Sequence, residues 1–167
     1  MSATEFYLTN DPVHPIDIVE TLAADHDWDF DRMGEDQIAM VVEGQWRSYA
    51  LTLALSPEED MLRLICTFEM DPPEGALPAL YETVSRANDM VWSGAFSFWA
   101  EQRLMVWRYG LLLGMDQTAE VEQIDRMIRS ALMAAERFYP AFQLVAWADH
   151  SPQAALDLAL AEAVGHA

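Results

Sequence analysis

The densest run of side chains able to do chemistry is Asp25-His26-Asp27-Trp28-Asp29-Phe30-Asp31, with Asp36 beyond it. Carboxylates at alternate positions suggest a calcium loop, which also needs a glycine at position 6 and a bidentate acid at position 12. Counting from Asp27 places Asp29 and Asp31 correctly but puts Arg32 at the glycine and Ile38 at position 12. Counting from Asp25 recovers Asp36 at position 12 and puts Phe30 at the glycine. Neither frame closes. The alternation fits an amphipathic edge strand better, with acids on one face and Trp28 and Phe30 on the other. A metal-dependent binder or small enzyme built on the Asp25–Asp36 region is the alternative reading.

Other reactive side chains are scattered. His14, His26, His150 and His166 sit near element ends and show neither HExxH nor a Cys/His zinc spacing. Cys66 is in phase with Leu62, Leu64 and Phe68, as a buried and inert thiol would be. Ser93-Gly94-Ala95 leaves a helix and enters a strand, the reverse of a nucleophile elbow. No Gly-rich phosphate loop is present. The sequence therefore assigns no catalytic, cofactor-binding or metal-ligating residue, and reads as a non-enzyme.

Tryptophan and arginine carry the stronger signal. In 46–55 the apolar parity is Tyr49, Leu51, Leu53 and Leu55, which leaves Trp46, Ser48, Ala50, Thr52 and Ala54 on the other face. In the next strand Leu62, Leu64, Cys66 and Phe68 oppose Arg63, Ile65, Thr67 and Glu69, and further on Phe96 and Phe98 oppose Trp99. A second sheet face mixing Trp, Ile, Thr and Arg suits association, where Trp and Arg are enriched. Trp46, Arg63, Ile65, Trp99 and Arg108 are the candidate protein-interaction residues. The competing expectation is that the two C-terminal helices fold over this face and cover it.

The elements that must position these residues follow from periodicity. Pro15 and the stripe Ile16, Val19, Leu22 predict a helix over 15–24. Alternating runs predict strands at 37–43, 46–55 and 62–70, with a short extra strand at 28–33. The turns between the three main runs are too short for parallel crossovers, so these form an antiparallel meander. A helix over 76–91 follows, then strands at 95–101 and 104–113 around a two-residue hairpin spacing. A long helix starts near Thr118, with Pro140 expected to kink or break it, and a last amphipathic helix spans 152–164. The order α-β-β-β-α-β-β-α-α predicts an α+β fold with helices packed on an antiparallel sheet. Residues 1–150 read as one α+β domain, and 151–167 as a helix of the same domain or an extension contacting a dimer partner.

Composition bounds the partners. The 167 residues carry 28 Asp and Glu against 9 basic residues, all arginine, for a net charge of −19. The first 75 residues hold −14 of it. So acidic a chain repels phosphate backbones and anionic lipid, which argues against nucleic acid and membrane as partners. The lone cysteine precludes an internal disulfide, the first ten residues lack a signal-peptide pattern, and no apolar run is long enough to span a membrane. The expected compartment is the cytoplasm.

The run Leu80-Tyr81-Glu82, Ala87-Asn88-Asp89, Trp92-Ser93-Gly94-Ala95-Phe96-Ser97-Phe98-Trp99 and Met105-Val106-Trp107-Arg108-Tyr109-Gly110-Leu111-Leu112-Leu113 resembles the YbjN family. The resemblance implies a sensory transduction regulator with a fold similar to type III secretion chaperones. It also implies a protein-binding, chaperone-like dimer rather than an enzyme. With the two-faced sheet, it leads to the expectation of a homodimer or hetero-complex through the half-polar face and the C-terminal helices, with no cofactor.

Overall fold

Period-two alternation builds strands whose apolar side chains all point one way, and here those strands join in a single sheet. In the computed structural model, which describes residues 12–165, α1 (Pro15–Asp25) precedes β1 (Asp29–Arg32), β2 (Gln37–Glu43), β3 (Ser48–Ser56) and β4 (Met61–Glu69). Then α2 (Leu77–Asn88) leads to β5 (Ala95–Trp99) and β6 (Leu104–Leu112), followed by α3 (Val121–Trp147) and α4 (Pro152–Gly165). Every neighbouring pair is antiparallel, in the order β1-β2-β3-β4-β6-β5. This is the expected α+β architecture, with β1 as the short extra strand. His166 and the first ten residues lie outside the described residues.

The helices lie on one face of the sheet. Leu53, Leu64, Phe68, Phe98 and Ile124 are buried as the parity requires, and Leu132 is half-buried against the core. Phe96 meets Phe138 and Phe142 of α3 edge-on, at centroid distances of 5.6 and 5.1 Å. Each such aromatic pair adds about 0.5–1.5 kcal/mol beyond the area it buries. Helix α4 packs on α3 and α2, away from the second sheet face, and buries Ala155, Leu156 and Ala159. No described helix covers the second face.

Several local expectations give way to tertiary contacts. Pro140 does not break α3, which runs unbroken to Trp147. The backbone donor lost there is outweighed by the buried stripe that continues on both sides, from Ala135 and Phe138 to Phe142 and Val145. The helix begins after Glu120 rather than Thr118, because the Glu120 backbone N–H donates to Gln123 Oε1 at 2.9 Å in a capping box. Helix α2 starts at Leu77, one residue after the expected start and directly after a 3₁₀ turn over Glu74–Ala76, and stops at Asn88, three residues before the expected end. Trp28 precedes β1 and stacks on His26, with ring centroids 4.5 Å apart.

Both sheet edges are guarded. At β5 the Asn88 carboxamide takes the place of a neighbouring strand: Phe96 N–H donates to its Oδ1 at 2.7 Å, and its Nδ2 donates to Phe96 O at 3.0 Å. At β1 the strand is only four residues long and carries Asp29 and Asp31. Short, charged or covered edges resist pairing with another chain.

Candidate functional site

The uncovered sheet face is read from the strand register. Asp31, Ala39, Thr52, Ile65, Arg108 and Ala95 form one row across all six strands. Paired residues share a face, so each of these points away from the helices. Toward β5 this face hollows into a groove of about 850 Å³ lined by Arg63, Ile65, Trp99 and Arg108. Four of the five candidate interaction residues thus converge. Arg63 pairs with Glu59, four residues earlier, whereas Arg108 makes no ion pair with any described residue. Val106 is fully buried between the Trp99 and Arg108 rows, and Ile65 is half-buried.

Trp46, the fifth candidate, lies elsewhere. The turn over 44–47 is closed by Gly44 N–H donating to Arg47 O at 2.8 Å, and β3 begins only at Ser48. Strand parity therefore does not extend back to Trp46. Glu136 of α3 draws this turn in by accepting the Gln45 N–H at 2.9 Å. Trp46 instead lines a second groove, of about 580 Å³, with Trp92, Met133, Arg137 and Phe138. Trp92, in the loop between α2 and β5, is fully exposed and borders both grooves. Sequence reasoning missed it; its place just beyond a helix end, outside any alternating run, was the available signal. A bare tryptophan on a rim is the kind of side chain that anchors protein contacts.

The acidic run does not converge. Asp29 and Asp31 lie on the open face, Asp36 is hydrogen-bonded to His14 at 3.1 Å, and Asp27 sits in a turn at φ 55°. Arg32 turns to the helix side and pairs with Asp17 and Glu20 of α1 at 2.9 and 3.0 Å. Among the described residues, no three His, Cys, Asp or Glu side chains come together as a metal set.

Burial pushes the Cys66 thiol up from 9.0 to about 12. Tyr49 is raised too, first by burial and then by the Glu136 carboxylate. The folded chain thus keeps a proton on Cys66 that the unfolded chain loses above about pH 9. Stability should fall from there toward pH 12, by at most ~1.4 kcal/mol per pH unit, and should be unaffected by this group below pH 9. Urea midpoints measured between pH 9 and 10.5 should fall more steeply for the wild type than for Cys66→Ala. Equal slopes would show that the thiol ionises as readily folded as unfolded.

The conspicuous residues of 80–113 serve to build the site. Asn88 closes the β5 edge, and Gly94, at φ +83°, leaves room for the buried Trp107 ring. A Cβ on Gly94 would lie 2.2 Å from Trp107 Cζ2. Together they fix the loop that presents Trp92.

Among solved structures, the chain is similar to the crystal structure of YbjN, a putative transcription regulator from E. coli, with a TM-score of 0.51 at 13% identity. That match covers 83% of this chain and 95% of the other, and it shows a shared fold. No protein with a curated description matches the chain. The profile of the family described as "YbjN: Putative bacterial sensory transduction regulator" matches residues 15–144. With its helices on one face of an antiparallel sheet and that match over most of its length, the chain belongs to the YbjN family.

Proposed function

We propose that this chain is a non-enzymatic protein-interaction domain, acting in the cytoplasm as a sensory transduction regulator with a chaperone-like capacity to hold a partner, and that it self-associates as a homodimer. The observation that carries this reading is the sheet face that no described helix covers, with Arg63, Ile65, Trp99 and Arg108 gathered in one groove. The family's description as regulators supports it. No described helix is long and apolar enough to cross a membrane. Because α4 packs against α3 and α2, the proposal rests on the sheet face rather than on the C-terminal helices.

Energetics favour covering that face. Covering the exposed part of Trp99 and the bare Trp92 on the groove's rim, at ~25 cal/mol per Å² of apolar area, supplies a few kcal/mol before ordering costs. The opposing term is repulsion between two copies that each carry −19, which ~0.15 M salt screens beyond about 8 Å. Added salt should therefore tighten the dimer. Sedimentation at micromolar concentration, in low and then high salt, is the test. A dimer that strengthens with salt is expected; a monomer in both buffers would end the homodimer reading.

A further inference from the structure

The open face is complementary to itself. Its β1 end carries Asp29 and Asp31, and its β6 end carries Arg108, while small side chains such as Ala39, Ala50, Thr52 and Ala54 lie between. Asp31 and Arg108 occupy the same cross-strand row, four strand spacings apart, or about 19 Å. Neither makes an ion pair with a described residue, and both are exposed. A surface acidic at one end and basic at the other matches a copy of itself turned through a half-rotation, because an isologous contact sets residue i against j and j against i.

Resting on the proposed self-association, we propose that two copies pack sheet on sheet about a two-fold axis parallel to the strands, between β3 and β4. Each Asp31 then stands beside the partner copy's Arg108. In this pose β1 faces the partner's β5, β2 its β6 and β3 its β4, so every strand of the sheet has a counterpart. Asp31 sits over the partner's Ala95, with the partner's Arg108 one strand spacing away, about 5 Å sideways and within the span of a long guanidinium side chain. Val41, which is 44% exposed, comes over the partner's β6, and Thr52 over the partner's half-buried Ile65. Glu43 and Glu69, the other acids of the face, sit over the partner's Leu104 and Ser48 and one strand spacing from each other, a like-charge approach that adds to the repulsion salt relieves. The small central residues let the sheets approach to the usual separation of about 10 Å. Six strands of spacing about 4.8 Å and a length of about 20 Å give roughly 600 Å² per copy, or about 1,200 Å² in all, the lower range of a specific interface. Two ion pairs remain outnumbered by the net charge, so salt still tightens the contact.

Charge reversal tests the pose. Arg108→Asp sets two aspartates against each other at both pairs, and Asp31→Arg does the same with two arginines. Each variant alone should sediment as a monomer where the wild type is a dimer, with a Kd weakened at least tenfold. One change raises the net negative charge and the other lowers it, so net charge cannot account for both. Mixing the two variants sets the two arginines of one copy against the two aspartates of the other, and a one-to-one heterodimer should form. If either reversal disturbs the sheet by circular dichroism, Asp31→Asn and Arg108→Gln, each expected to weaken the dimer several-fold, take its place. Variants that dimerise as tightly as the wild type, or a mixture that stays monomeric, would overturn this pose while leaving self-association standing. A monomeric wild type would overturn both.

Discussion

Gly94→Ala should destabilise the chain by ~2–5 kcal/mol, the sum of two independent costs. An alanine at φ +83° occupies backbone space that L side chains avoid, for about 1–2 kcal/mol. Its Cβ would also stand 2.2, 2.6 and 2.6 Å from three atoms of the Trp107 ring. That ring is buried and stacked on Tyr109 with centroids 5.9 Å apart, so it has little room to retreat, and overpacking of this kind costs about 1–3 kcal/mol. Gly34 supplies the control: it too has a positive φ, +134°, but nothing lies within 4 Å of a built Cβ. Gly34→Ala should therefore cost only its backbone share. Adding Trp107→Leu to Gly94→Ala should recover part of the loss, seen as a non-additive double-mutant cycle in urea denaturation. Equal costs at the two glycines would mean that the ring contact does not limit the site, and that Trp92 is held by something other than Trp107 packing.

Leu64→Ala should cost about 2–5 kcal/mol, and Phe98→Ala a similar amount, because both side chains fill the space between sheet and helices. Leu64 is fully buried at the centre of β4, opposite Leu53 on one side and Tyr109 on the other. Ile65, one residue on, points to the open face and is half-buried. Its truncation to alanine should cost less than half as much in a monomer, since water already reaches the site and no enclosed cavity is left. Urea midpoints with an unchanged slope read this directly. If Leu64→Ala and Ile65→Ala were equally costly, the two faces would be equally packed and no free surface would remain for a partner.

The order of elements and the facing of the strands were legible in the residues because both are local. Side chains alternate every two residues along a strand, so Leu51, Leu53 and Leu55 declare one face whatever lies around them. The same rule brought Arg63, Ile65, Trp99 and Arg108 to one surface. It failed at Trp46, where the chain is not yet a strand: the turn that ends the alternation is held by Glu136, 91 residues from Gln45. Of the kink or break that local propensity expects at Pro140, the break does not occur, because the buried stripe carries α3 through.

Alternation by itself determined that this protein has a second, half-polar sheet face. Only the tertiary structure decided that α3 and α4 gather on the other side and leave that face open, that Asn88 seals one sheet edge, and that Trp92 stands free between two grooves. Those outcomes depend on which distant surfaces bury most area against one another. Helix periodicity marks the apolar stripe of α3, but the choice of the face that receives it lies in contacts such as Phe96 with Phe138 and Phe142, 42 and 46 residues apart in the chain.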